Sequence, residues 1–357
     1  MKRCVQCIMP ETVPGITYDQ NGVCSLCRNY VKMKPKGEAA FRELLSNLPK
    51  DRSYDCVVPL SGGRDSTFVL HLAKKEFGLR PLAVNHDNEF RNPQSVKNME
   101  RACERLGVEL AVIRSRRDIA HKIVHCNVRA AIDLGLPYVV TAFCRQCDYG
   151  YHSVVYIEAA RRGIPLILWG DSPDESTLEV RTRALSDLMR SRYHKLLNRY
   201  FYATEYYSLL QRIEFMVSPS VLFSRTTPPL RNPDIREVMV FDYVPWERKK
   251  IKETIMNNLG WEKPAGHVTT WRTDCLLHEI TNFFYGMVLA CTQDCMGYCN
   301  MINSGQMTRA EALAQEEQAL QMEWSHVARL LEEHVGLTRR DVERIGELVR
   351  AYPQSAR

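Results

Sequence analysis

The chain has 357 residues, 45% of them hydrophobic and 25% charged, enough to bury a large core and to hold two or three modules. A net charge of +6 suits anionic ligands but does not by itself argue for nucleic acid. No apolar run approaches the ~20 residues of a membrane span, and Met1 to Cys7 has no signal-peptide core, so the expected location is cytoplasmic. There, thirteen cysteines read as metal ligands or catalytic thiols rather than disulfides.

The first element is a metal module over residues 1–30. Cys4 and Cys7 form one C-x-x-C knuckle, Cys24 and Cys27 a second, with sixteen residues between them. That spacing is a zinc pattern, and four thiolates close the coordination sphere of a structural Zn2+. A rubredoxin-like iron is the alternative. The stretch between the knuckles predicts a short hairpin turning at Asn21-Gly22.

Next comes the apolar run Tyr54 to Leu60, then Ser61-Gly62-Gly63-Arg64-Asp65-Ser66-Thr67, then a helical pattern from Phe68. Strand, glycine loop and helix make a phosphate cradle: the glycines admit an anion close to the backbone, and the helix's first N–H groups point at it. Ser61, Ser66 and Thr67 offer hydroxyls, and Asp65 beside phosphates suggests Mg2+. No lysine stands where a Walker A loop needs one. The string resembles instead the PP-loop of the ATP pyrophosphatases, which cleave ATP between its α and β phosphates and adenylate an oxygen of their substrate.

From about 53 to 175, strand and helix patterns alternate: strands at 81–87, 108–113 and 165–171, helices at 92–106, 117–134 and 152–162. The expected fold class is α/β, a doubly wound parallel sheet of PP-loop (HUP-like) type with an N-terminal Cys4 zinc ribbon and a helical C-terminal region. Ligands in such sheets sit beyond the strands' C-terminal ends. That rule puts Ser61–Thr67, His86-Asp87 and Gly170-Asp171 on one rim as nucleotide-binding candidates. The PP-loop domain is expected over 50–280, with a basic, tyrosine-rich helical insertion at about 178–230. A strand pattern runs over 237–244, and a helical region follows over 281–357.

Cys144 and Cys147 form a third C-x-x-C, which could be redox-active, half of a zinc site or part of an iron–sulfur site. Together with Cys275 they resemble the trio that holds a [4Fe-4S] cluster in cluster-dependent PP-loop sulfur transferases. Cys291, Cys295 and Cys299 share one helical face, either as an alternative third ligand or as a buried thiol stripe. Cys56, Cys103 and Cys126 read as core. Further on, Thr308 and Glu311 predict a capping box, and residues 324–352 a helical hairpin broken at Gly336-Leu337-Thr338.

The paired knuckles, the segment Tyr54 to Asp87 and the late Ser304 to Leu313 together resemble the N-acetyl sugar amidotransferase family of PP-loop enzymes. The resemblance implies a cytoplasmic transferase of surface (lipo)polysaccharide biosynthesis that turns an acetamido group on a sugar nucleotide into an acetamidino group. It would use ATP, Mg2+ and ammonia from a glutaminase partner. Ser61, Gly62, Gly63, Arg64, Ser66 and Thr67 would hold phosphate, and Asp65 the metal. The cysteine trio points to sulfur insertion by the same adenylation instead. A non-catalytic nucleotide- or RNA-binding adaptor is the third reading. A homodimer is consistent with all three.

Overall fold

The computed structural model describes residues 1–114, 119–140, 142–143, 145–174, 234–267 and 269–352. The basic insertion expected at about 178–230 lies outside them, as does Cys144.

Five strands form one parallel sheet: β1 (Cys56–Pro59), β2 (Pro81–Asp87), β3 (Leu110–Arg114), β4 (Leu166–Trp169) and β5 (Arg236–Met239), in the order β3-β2-β1-β4-β5. β1 pairs with β2 from Cys56↔Pro81 to Pro59↔Val84, and with β4 through Val57↔Ile167. The order reverses direction at β1, so a crevice opens between the C-terminal ends of β1 and β4. The loop at Ser61 leaves β1 into that crevice.

The three inner strands, β2, β1 and β4, are buried on both faces because both faces are covered. Val57, Leu82, Val84, Ile167 and Trp169 pack against Val155, Tyr156 and Ala159 of a long helix, Arg145–Arg161. Cys56, Val58, Leu60, Ala83, Leu166 and Leu168 point the other way, into a larger core that continues through the C-terminal helices to Cys4, Cys7, Ile8 and Met9. Cys56 and Cys103 are buried there as expected, while the side chain of Cys126 is outside the described set.

The helices follow their sequence signals where those are local. The helix after β2, Pro93–Leu106, starts at Asn92, whose side chain accepts from Gln94 N, and carries proline at its first position. Thr308 and Glu311 form the expected reciprocal cap of the helix Arg309–Leu320. The terminal hairpin runs through Trp324–Leu330 and a widened turn at Leu331–Val335, breaks at Gly336, and resumes as Arg339–Ala351.

Two boundaries differ from expectation. The strand read over 237–244 stops at Met239 and tightens into a helical turn at Val240–Asp242. Val240 and Phe241 are both buried, which an alternating strand does not allow on one face. The helix read from His152 begins at Arg145, so Cys147 falls in its first turn, although its side chain is not among those described.

No helix of the described residues is long and apolar enough to cross a membrane.

Candidate active site and metal centres

The loop after β1 is shaped by contacts that leave no room at its first glycine. Gly62 has φ +80°, and a Cβ there would lie 2.1 Å from the carbonyl oxygen of Ser95. Its own carbonyl accepts from Trp261 Nε1 at 2.9 Å. Gly63 then enters the helix Arg64–His71 in extended geometry. The loop's hydroxyls hold it together: Ser61 Oγ accepts from Gly63 N at 3.2 Å and lies 3.2 Å from Ser66 Oγ, which also receives Ser61 N at 3.3 Å. Thr67, fully buried, donates its hydroxyl to the Gly63 carbonyl at 2.7 Å, so it stiffens the loop rather than facing a ligand. The first backbone bond of the helix is Thr67 N to Gly63 O at 3.3 Å. The N–H groups of Asp65 and Ser66 come before it in the first turn, which is the anion-binding end of the element.

Arg64 and Asp65 face each other. Arg64 Nη2 and Nε reach Asp65 Oδ2 and Oδ1 at 2.6 and 3.0 Å, and Trp246 Nε1 donates to Oδ1 at 3.0 Å. Arg64 is buried between the rings of Trp246 and Trp271, 5.2 and 5.9 Å from their centroids. A second carboxylate stands at the loop: Asp274 Oδ2 is 3.7 Å from where a Gly63 Cβ would be. Asp274 is anchored through its backbone, its carbonyl accepting from Asn92 N at 2.9 Å.

The other rim residues gather where the sheet rule places them. Gly170 packs against the Ser66 backbone, with 3.3 Å between its would-be Cβ and Ser66 Cα, so β4 ends directly on the loop. Beside β2, Asn85 Nδ2 donates to the Leu60 carbonyl at 2.7 Å, and Arg91 joins Asn85 Oδ1 (3.0 Å) to Asp87 Oδ2 (2.7 Å). Cys275 is half-buried on the same rim, its backbone bridged to Arg91. Asp171 is exposed, and three residues on is Asp174, which the sequence did not flag. Burial pushes the Asp174 carboxyl up to about 6, against the pull of Ser304 and Arg64.

His86 is buried on β2, and desolvation lowers its imidazole to about 4 despite the neighbouring Asp87. Between pH 6.5 and 4 the unfolded chain therefore binds a proton that the folded chain refuses. Stability falls as pH drops through that window, by roughly 3 kcal/mol in full. Asp174 is shifted upward and works in the opposite sense, so the comparison has to be made between variants. The expected result is that His86→Gln loses less stability than wild type between pH 6.5 and 4 in denaturant titrations. Equal acid sensitivity would remove this account of His86.

At the other end of the larger core, the four N-terminal sulfurs converge within 4.8 Å of one another. Cys4–Cys27 and Cys7–Cys24 Sγ separations are 3.9 and 3.6 Å. A tetrahedron of thiolates around zinc has edges of about 3.8 Å, so the quartet fits that ion without rearrangement. Backbone N–H groups of Cys7, Met9 and Cys24 point at the sulfurs, and Asn303 Nδ2 reaches Cys27 Sγ at 3.5 Å. The knuckles are clasped from afar: Arg309 donates to the carbonyls of Cys7 and Cys4 at 2.9 and 3.2 Å, and Arg3 to that of Ala290 at 3.1 Å. None of these clasps could be found from the knuckle spacing, since the partners are some 300 positions away.

The comparisons with known proteins are these. No family model matches the chain. The uncharacterized protein MJ1599 of Methanocaldococcus jannaschii is 30% identical over 207 residues, covering 52% of this chain and 73% of that protein. Among solved structures, the U34-tRNA thiolase NcsA from Methanococcus maripaludis with its [4Fe-4S] cluster aligns over 90% of each chain, at 12% identity and a TM-score of 0.39. NMN synthetase from Francisella tularensis aligns over 84% of this chain and 94% of its own, at 14% identity and a TM-score of 0.37. Likenesses this loose carry no argument about chemistry.

Proposed function

This chain belongs to the family of the Methanocaldococcus jannaschii protein, whose name carries no activity, and from its own residues we propose that it is an ATP-using PP-loop enzyme. It adenylates an amide or carbonyl oxygen of a small-molecule substrate, releasing pyrophosphate, and then replaces that oxygen. The observation that carries the reading is the Ser61–Thr67 loop at the point where the sheet order reverses, with Gly62 locked against Ser95 and the N–H groups of Asp65 and Ser66 at the start of the following helix. Those N–H groups would take up charge on the departing pyrophosphate.

Mg2+ fits this mouth through Asp274, whose carboxylate makes no side-chain hydrogen bond among the described residues. Asp65 would join it only by releasing Arg64 and Trp246. A divalent ion there neutralises phosphate charge. The chain's own part is to hold the phosphates on the loop and to bring the acceptor oxygen in line from the β2 rim, past Asn85, Asp87 and Arg91.

For the replacing group, the N-terminal knuckles and the loop context favour nitrogen: an acetamido group on a sugar nucleotide becoming an acetamidino group, with ammonia from a glutaminase partner. A second reading, sulfur insertion through an iron–sulfur cluster, draws on Cys275 standing half-buried on the same rim as Asp87 and Arg91.

The two separate in one assay. Anaerobically purified chain is given ATP, Mg2+ and acetamido-sugar nucleotides with either ammonium or sulfide. Amidotransfer gives a product with oxygen replaced by NH in the ammonium reaction only, from protein free of iron. A thio-product, or iron with inorganic sulfide in the protein, would transfer the assignment to sulfur chemistry.

A further inference from the structure

Cys291 and Cys295 have no part in the loop chemistry. Cys291 follows the helix Leu277–Leu289, and Cys295 opens the helix Cys295–Ser304. Glu316, on the helix Arg309–Leu320, reaches in from the other side, and the two sulfurs and its carboxylate lie within 4.8 Å of one another. All three residues are buried, Cys295 and Glu316 completely.

We propose that Cys291, Cys295 and Glu316 form a second metal site, occupied by Zn2+, which ties the junction of these helices to the helix that clasps the N-terminal quartet. The buried carboxylate is the first argument. Among the described residues no lysine, arginine or histidine forms an ion pair with Glu316; Arg3 acts on it only from beyond ion-pair distance, and a carboxylate so weakly compensated in a dry interior is costly. A divalent cation supplies the missing charge.

The second argument is how the carboxylate is held. Thr292 N donates to Oε1 at 2.7 Å and Thr292 Oγ1 to Oε2 at 2.5 Å. Each oxygen keeps a lone pair for a metal while its orientation is fixed, the arrangement seen around ligating carboxylates. The donor set is the third. Two thiolates with one carboxylate suit borderline-soft zinc and not the hard ions Mg2+ or Ca2+, which take oxygen alone. Three protein ligands leave one tetrahedral position for a water molecule. Cys299, one turn beyond Cys295, lies outside this group and against Cys7 of the quartet, so the two sites sit at opposite ends of one thiol stripe.

The test uses the full-length chain produced with cobalt in place of zinc, read by metal content and by the sulfur-to-cobalt charge-transfer band. Cys291→Ser and Cys295→Ser are each expected to lose one metal equivalent per chain relative to wild type. Should the serine variants fail to fold, Glu316→Cys decides the matter. It is expected to keep the equivalent and to raise that site's charge-transfer absorbance by about half, as thiolate ligands go from two to three. Unchanged metal content in folded Cys291→Ser, no rise in Glu316→Cys, or a Cys291–Cys295 disulfide in the purified wild-type chain would overturn the proposal.

Discussion

Gly62→Ala removes the response to ATP and lowers the stability of the whole protein. The new methyl would stand 2.1 Å from Ser95 O and 2.7 Å from Ser95 C, both backbone atoms that no rotamer change can move. The left-handed backbone at φ +80° adds a cost of about 1–2 kcal/mol for any residue with a Cβ. Forced repacking adds about 1–3 kcal/mol. A total of about 2–5 kcal/mol corresponds to a fall in Tm of roughly 3–7 °C for a chain of this size. To relieve the clash, the loop must leave the Trp261 indole or push Ser95 away from the Thr273 carbonyl that its hydroxyl contacts at 3.2 Å. Either move shifts Gly63 and the N–H groups after it. Wild type is expected to melt higher with ATP and Mg2+, and Gly62→Ala to show no such shift. A variant with the wild-type Tm and the wild-type ATP response would mean that the loop is not the cradle.

Removal of the metal that the four N-terminal sulfurs would hold, or Cys24→Ser, is expected to have the second large effect, reaching well beyond residues 1–30. A module this small has little core of its own, and structural zinc in comparable peptides contributes about 10–16 kcal/mol to folding. The quartet is also the anchor for long-range contacts: Arg309 to Cys4 and Cys7, Arg3 to Ala290, Thr12 to Leu289, and Gln6 to Asn303 at 2.8 Å. Loss of the metal is expected to release the knuckles and loosen the helices Cys295–Ser304 and Arg309–Leu320 together. Hydrogen exchange read on the peptides over 290–320 checks this: protection there should collapse in the chelated protein and in Cys24→Ser. Protection confined to its wild-type pattern outside residues 1–30 would show that the module is an independent appendage.

What the sequence made legible is what is decided within a few residues. The cysteine knuckles, the Thr308 cap, the Ser61–Thr67 loop and the alternation that yields a parallel sheet all depend on short spacing. The parts it hid depend on contacts across the fold. Trp246 and Trp261 reach the loop from positions nearly two hundred residues away, and nothing in their local context marks them. Asp65 reads as a metal ligand from its motif, and the motif does not show that Arg64 and Trp246 both bond its carboxylate. Asp274 belongs to no motif and stands beside a more conspicuous cysteine. Cys291 and Cys295 were visible as a stripe, but Glu316, which gives the stripe a different meaning, comes from another helix. Cys144 and the basic segment at about 178–230 lie outside the described residues, so the expectations attached to them stay as the sequence states them.

The central claim is that the Ser61–Thr67 loop binds the phosphates that leave as pyrophosphate while the acceptor oxygen takes the adenylyl group. Phosphorus NMR on a reaction containing the full chain, ATP, Mg2+, ammonium and an acetamido-sugar nucleotide carrying heavy oxygen in its acetamido group tests it most directly. The account predicts AMP and pyrophosphate in equal amounts, with the heavy oxygen transferred to AMP, and no turnover in Gly62→Ala. ADP and inorganic phosphate, or AMP without the label, would contradict it.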